Sequence, residues 1–228
     1  GETNTITLER VMLKMTDNFL VFTADIVGSR RTKDQPWQQQ ELNRRLQTFA
    51  QEYAEAFLCL PSLSRGDEIQ GVLAEPTDFA KMIRRLRYAI RPLIIRVGLG
   101  VGTITTDFNP KDSWQMDGPA FHRARQALEE VKNLKWAVTR WVSDRQNIDG
   151  KLNILLKTVG VIQSRWTPSQ WEAVSLYEKM GTYKAVAQYL GITAQNVEKR
   201  CRAARWHVVR EAETELGRWV QEEYFGSH

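Results

Sequence analysis

Two aspartates have the most chemistry to offer. Asp25 stands near the end of the apolar run from Asn18 to Ile26. A carboxylate there is expensive to bury unless it binds a cation or is hydrogen-bonded. Asp67, with Glu68, lies in Arg65-Gly66-Asp67-Glu68, which reads as a tight turn between two short strands. In a strand–helix–strand–strand layout that hairpin lies beside the first strand, so Asp25 and Asp67 can converge on one divalent cation. Magnesium (or manganese) suits such a pair, because it takes few protein carboxylates and keeps water or phosphate as its other ligands. The turn Ile26-Val27-Gly28-Ser29, with Gly66 on the hairpin, offers backbone N–H groups to a triphosphate. A second account of the same residues is structural: Asp25 paired with Arg30 or Arg96, and Asp67-Glu68 as plain turn residues.

The C-terminal third offers different chemistry. Thr167-Pro168 starts a helix and Gly181 ends it; Thr182 caps a second, short helix. Gly191-Ile192-Thr193 makes a sharp turn and caps a third. On that helix Val197, Cys201, Ala204 and Val208 share one face. Thr193, Gln195, Asn196, Lys199, Arg200, Arg202 and Arg205 supply a cap and a polar, basic opposite side. Glutamine and asparagine can read adenine edges, and lysine and arginine suit phosphates. The expectation is a helix-turn-helix over about residues 166–206 that binds double-stranded DNA, with a dimer supplying two half-site contacts. The same pattern also describes a three-helix bundle with a solvated basic face, or one that docks a protein.

The elements that must hold these residues follow from periodicity. Asn18–Ile26 reads as a strand buried on both faces. Pro36 opens a helix whose apolar face carries Leu42, Leu46, Phe49, Tyr53 and Phe57, stopped by Pro61. A helix is expected over Thr77–Ala89, a glycine-broken strand over Leu93–Ile104, a helix from Gly118-Pro119 to about Lys132, and a last strand over Trp136–Val142. This order predicts a ferredoxin-like, palm-type βαββαβ domain, mainly antiparallel, with helices on one face. An amphipathic helix follows the turn signal Asp149-Gly150. The fold class is therefore α+β: a palm domain over residues 1–146 and an all-α domain over 147–228.

Composition sets the limits. The chain has 228 residues, 42% hydrophobic and 26% charged, with net charge +5 and pI near 9.3. No apolar run is long enough for a membrane span and no leader pattern opens the chain. Cys59 and Cys201 read as reduced core thiols, which favours the cytoplasm. The three histidines have no metal-ligand spacing with them. Tryptophans 114, 136, 141 and 166 read as core or interface residues.

Four blocks together resemble the SatD family, a bacterial family named from an acid-tolerance operon. They are Ala24–Arg30, Arg65–Gly71, Arg96–Gly102 and Asp117–Arg125. They resemble, more distantly, class III nucleotide cyclase domains and the palm of diguanylate cyclases. The C-terminal segment resembles region 4 of sigma factors and LuxR-type regulators. The cyclase resemblance implies Asp25 and Asp67 as metal ligands, with the Ile26 carbonyl helping. Where cyclases carry a catalytic asparagine and arginine, this chain has His122 and Gln126; Arg123 or Arg125 are the available substitutes. The purine-selecting lysine is replaced by Leu63.

The expected function is a cytoplasmic, homodimeric DNA-binding transcriptional regulator whose palm senses a purine nucleotide. The alternatives are a metal-dependent nucleotide cyclase or nucleotidyltransferase with a regulatory tail, and a non-enzymatic interaction adaptor.

Overall fold

The computed structural model describes residues 18–28, 36–64 and 67–226. In chain order the elements are β1 (Phe19–Ile26), α1 (Pro36–Glu52), β2 (Phe57–Leu63), β3 (Glu68–Leu73), α2 (Phe79–Ala89), β4 (Ile95–Gly102), α3 (Pro119–Lys132), β5 (Thr139–Val142), α4 (Gln146–Ser164), α5 (Pro168–Met180), α6 (Tyr183–Leu190), α7 (Ala194–Ala203) and α8 (Trp206–Val220). This is a mixed α+β chain. The sheet order is β2-β3-β1-β4-β5. β1 pairs antiparallel with β3 and β4, and only β4–β5 is parallel.

β1 is central and buried on both faces because its residues suit two cores. Leu20, Phe22, Ala24 and Ile26 point into the large core with α1, α2, α4 and α8. Val21 points the other way, into a smaller core that includes Ala120, Phe121 and Ala124 of α3. Helices thus cover both faces, not one as expected. α3 sits so close to β4 that the strand needs glycine beneath it. A Cβ on Gly98 would stand 2.2 Å from the Ala124 carbonyl oxygen, and one on Gly100 would stand 2.2 Å from the Ala124 nitrogen.

Several boundaries differ from the sequence expectation, each for a local reason. α1 ends at Glu52, so Phe57 lies on β2 rather than on the helix face. Pro61 lies inside β2, tolerated because β2 is an edge strand with an irregular register at Cys59–Ser62. Asp149-Gly150 falls inside α4: the Asp149 carboxylate accepts from the Ser143 N–H (2.8 Å), the Ser143 hydroxyl (2.6 Å) and the Tyr224 hydroxyl (3.0 Å). An acid in a first helical turn also complements the N–H end of the helix.

Beyond β5 the helices divide their burial. Leu152 and Leu156 of α4 and Leu216 and Val220 of α8 belong to the sheet's large core. Trp166, Trp171, Val174, Val186, Val197, Cys201, Trp206 and Val209 form a second core. Thr167 caps α5 in a reciprocal box with Gln170, and Thr182 and Thr193 cap α6 and α7. Gly191 takes the left-handed turn (φ 67°) between α6 and α7. Arg205 is also left-handed (φ 55°) and breaks the helix there, so Val209 is buried while Val208 is exposed.

A buried ion cluster locks α5 and α8 to α2. Arg84 of α2 is 2% exposed at its side chain. It donates from Nε to Glu213 Oε1 (2.7 Å) and from Nη2 to Glu178 Oε1 (2.8 Å), and its guanidinium lies 4.6 Å over the Trp206 ring. Arg85 adds a bond to Glu178 (2.9 Å). Burial opposes the charge on Arg84 and on Glu178, but their mutual hydrogen bonds and charges outweigh it: Arg84 is held above its ordinary range and Glu178 below. Glu213 is deeper; there burial wins and raises its carboxyl despite Arg84. Beside this cluster α8 meets the turn before α2 in direct backbone contact, where a Cβ on Gly217 would fall 1.9 Å from the Thr77 carbonyl oxygen.

Candidate functional site at the end of the central strand

The end of β1 carries a ring of charges on the α3 face of the sheet. Asp25 lies across from Glu68 on β3 and from Arg96 on β4. Arg96 grips it with both ends of its fork, Nε to Oδ1 and Nη2 to Oδ2, each at 3.1 Å. Lys132, at the end of α3, places its Nζ 3.7 Å from Asp25 Oδ2. Burial works against the Lys132 charge, but the Glu129 hydrogen bond and the charges of Asp25, Glu129 and Glu68 outweigh it and hold the ammonium above its ordinary range. The side chains are partly exposed: Asp25 is 16% exposed, Arg96 and Lys132 27% each. β1 then leaves the sheet through Val27 and Gly28, both exposed, with Gly28 at φ 78°.

Among the expected site residues, Asp25, Ile26, Gly28 and Asp67 are described. Ser29 and Gly66 lie outside the described residues, as does Arg30. Ile26 is buried with its side chain on the opposite face from Asp25. The register puts Glu68, rather than Asp67, directly opposite Asp25, with Asp67 one residue nearer the hairpin tip. Among the described residues no three His, Cys, Asp or Glu side chains converge as a ready metal-ligand set.

The residues considered for catalysis lie elsewhere. His122, Arg123 and Arg125 are in the first half of α3, while Lys132 ends it. Ten residues of helix separate His122 from Lys132, about 15 Å at 1.5 Å per residue. His122 Nε2 is 2.9 Å from Asp117 Oδ1, and both side chains are exposed. The Gly118 N–H, and then the His122 and Arg125 charges, hold the Asp117 carboxyl below its ordinary range. Arg123 donates to the Val101 carbonyl (2.7 Å), which serves the helix–strand contact. One chain therefore does not bring these residues to Asp25.

Three residues of this region escaped sequence reasoning in role: Glu68, Lys132 and Trp136. The hairpin joins β2 to β3, so no local count in the sequence pairs Glu68 with Asp25 on β1. Trp136 is 78% exposed with φ 64°, four residues after Lys132, and is not a core residue. Trp141 and Trp166 are buried as expected, and Trp114 is half-buried, its indole N–H donating to the Ser62 hydroxyl (3.1 Å). Both cysteines are free and buried.

The SatD family model matches residues 19–214. The chain belongs to the SatD family. The match runs without a break from β1 into α8. Among solved structures, this SatD-family chain is similar to a bacterial light-regulated adenylyl cyclase, with 16% identity, 66% of this chain and 81% of that chain covered, and a TM-score of 0.39. It is also similar to an adenylyl cyclase from P. aeruginosa, with 19% identity, coverage of 50% and 71%, and a TM-score of 0.37. A third is the guanylate cyclase domain from Catenaria anguillulae in complex with GTP, with 18% identity, coverage of 50% and 72%, and a TM-score of 0.35. No functionally curated protein matches the chain.

The expectation of a DNA-binding transcriptional regulator is corrected. The solved structures reported as similar to this SatD-family chain are nucleotide cyclase domains, not DNA-binding regulators. Thr193, Gln195, Asn196, Lys199, Arg202 and Arg205 are exposed, and Arg200 is half-buried, 4.0 Å from Glu172. The Thr193 hydroxyl is occupied by the Asn196 N–H as a helix cap. A solvated helix face and a DNA-reading face share this composition, which is why the sequence pattern misled. No helix among the described residues is long and apolar enough to cross a membrane.

Proposed function

We propose that the end of β1 binds the polyphosphate of a purine nucleoside triphosphate together with one divalent cation, as the working site of a metal-dependent nucleotide cyclase or nucleotidyltransferase. The observation that carries this reading is the open Asp25–Arg96 pair with Lys132 beside it. It places an exchangeable carboxylate and two cations at the mouth of a left-handed glycine turn. Two cations in a partly exposed setting suit phosphate oxygens, with arginine offering a planar fork and lysine a point charge.

The donor set fits a magnesium ion carried in by a triphosphate, which needs one or two protein carboxylates and takes phosphate and water for the rest. It does not fit an ion caged by protein alone, because both Asp25 oxygens are held by Arg96. Asp25, with Asp67 or Glu68, would hold the ion, and the ion would neutralise phosphate charge. The chain's own part is an exchange. Arg96 turns from Asp25 to phosphate, Lys132 follows, and Asp25 is freed toward the cation. Of the backbone there, the Val27 N–H is taken by the Ile94 carbonyl (2.8 Å), which leaves Gly28 in an exposed turn at the same mouth. Catalytic use of His122 or Arg125 requires a second copy whose α3 start meets this strand end, so an active form would be a homodimer.

The test is incubation of the chain with each purine triphosphate and Mg²⁺ or Mn²⁺, read by product formation, for wild type and for Asp25→Asn. Product that Asp25→Asn abolishes supports the enzyme reading. Binding without turnover reduces the proposal to a nucleotide-binding site, and absence of both removes it.

A further inference from the structure

A second cavity lies on the opposite side of the sheet, where α2, the start of β4, α4 and α5 meet. Its volume is about 140 Å³. Its walls are mostly apolar, with Leu93, Ile94, Val138 and the Trp171 indole, and Gln163 and Ser164 add polar groups. Two arginines, Arg87 and Arg91, complete it. Ile94 is 60% exposed and marks the mouth.

Neither arginine makes an ion pair among the described residues, although the Glu213 charge acts on Arg87. Arg87 donates from Nη2 to the Val138 carbonyl and to the Thr139 hydroxyl, both at 2.8 Å. Its Nε and Nη1 have no hydrogen-bond partner among the described residues. Burial pulls its guanidinium down to about 10, so it stays charged at neutral pH. Arg91 lies 5.2 Å over the Trp171 ring and makes no ion pair among the described residues.

A half-buried guanidinium whose Nε and Nη1 lack hydrogen-bond partners among the described residues is costly to desolvate, and a planar carboxylate satisfies its free fork with two parallel bonds. The walls set the rest of the ligand. An apolar cavity of about 150 Å³ accepts benzene, so this one has room for one ring or a short branched chain. We propose that this cavity is a binding site for a small aromatic or branched-chain carboxylic acid, its carboxylate on Arg87 and Arg91 and its apolar body against Leu93, Val138 and Trp171. Such a ligand touches the sheet, α4 and α5 at once, so its binding stabilises their seam.

The test titrates benzoate, phenylacetate and 4-methylpentanoate into the full chain by calorimetry, with thermal unfolding in parallel. Benzyl alcohol (ring without charge), acetate (charge without body) and inorganic phosphate are the comparison arms. At least one of the three acids is expected to bind with Kd below about 1 mM, to raise Tm, and to bind at least about tenfold more tightly than every comparison compound. Arg91→Gln, which removes no hydrogen bond from the fold, should weaken that binding about tenfold. Gly160→Leu, which pushes a side chain toward Val138 across the cavity, should abolish it while leaving the circular dichroism spectrum unchanged. Failure of all three acids to bind below about 1 mM overturns the proposal. So does binding that Arg91→Gln leaves intact, or binding matched by benzyl alcohol, acetate or phosphate.

Discussion

Two arginine–carboxylate clusters, one where α5 and α8 meet α2 and one at the end of β1, use the same chemistry to opposite ends. Arg84 is sealed, with Glu213 at 6% and Glu178 at 15% side-chain exposure, and joins residues 94 and 129 positions apart. Arg96 and Asp25 are neighbours across two strands, and Arg96 stays 27% exposed although Asp25, at 16%, is about as enclosed as Glu178. In the sealed cluster the partners cannot be exchanged without leaving a buried charge, so the cluster fixes where α5 and α8 sit. In the open pair water can take over either partner, so little stability is at stake and a charged ligand can compete. Exposure of the arginine, 2% for Arg84 against 27% for Arg96, separates the structural lock from the binding device.

The comparison can be broken first at the lock. Arg84→Met should cost about 3–5 kcal/mol in urea unfolding, because Glu213 remains buried without its cation and Glu178 keeps only Arg85. Arg84→Met combined with Glu213→Leu should recover part of that loss. A cost under about 1 kcal/mol for the single change would make the lock an ordinary surface contact. Next, Gly100→Ala should cost about 1–3 kcal/mol or more, since its Cβ meets α3 backbone at 2.2 Å. Gly28→Ala, whose Cβ meets nothing within 4 Å but whose φ is 78°, should cost about 1 kcal/mol.

The thiols sharpen the same contrast by pH. Burial pushes Cys59 and Cys201 up to about 11. The folded state therefore favours the neutral thiol. Stability from this source is complete below the unfolded thiol's pKa and is lost as pH rises from about 9 to 11, by about 1 kcal/mol per thiol at pH 10. Chemical unfolding at pH 8 and pH 10 measures it. Alkylation at pH 8 should be at least about a hundredfold slower in the native protein than in the unfolded chain. The smallest effect on stability belongs to the open pair: Arg96→Gln should change unfolding by less than about 1 kcal/mol while weakening triphosphate binding about tenfold.

Local signals were legible in the sequence. The apolar run of β1, the Gly118-Pro119 helix start and the three threonine caps follow from side chains acting on their own neighbours. Long-range facts were not. Pro61 reads as a helix stop until the edge position of β2 is known, and Asp149-Gly150 reads as a turn until Ser143 and Tyr224 are seen to hold the aspartate. Arg205 gives no hint of its left-handed backbone, which moves the buried position from Val208 to Val209. At the site, Asp25 was legible as a strand-end carboxylate. Its pairing with Arg96, one of two partners considered, and its alignment with Glu68 rest on strand register. The basic face of α7 has a composition that serves solvent as well as DNA, and composition alone chose wrongly.

The most direct measurement is calorimetric titration of ATP and of GTP, each with Mg²⁺, into wild type, Asp25→Asn and Arg96→Gln. The account predicts saturable binding of at least one triphosphate to wild type, lost when magnesium is withheld, weakened about tenfold by Arg96→Gln and weakened further by Asp25→Asn. No binding to wild type, or equal binding to all three proteins, would contradict it and leave the Asp25–Arg96 pair as a structural contact.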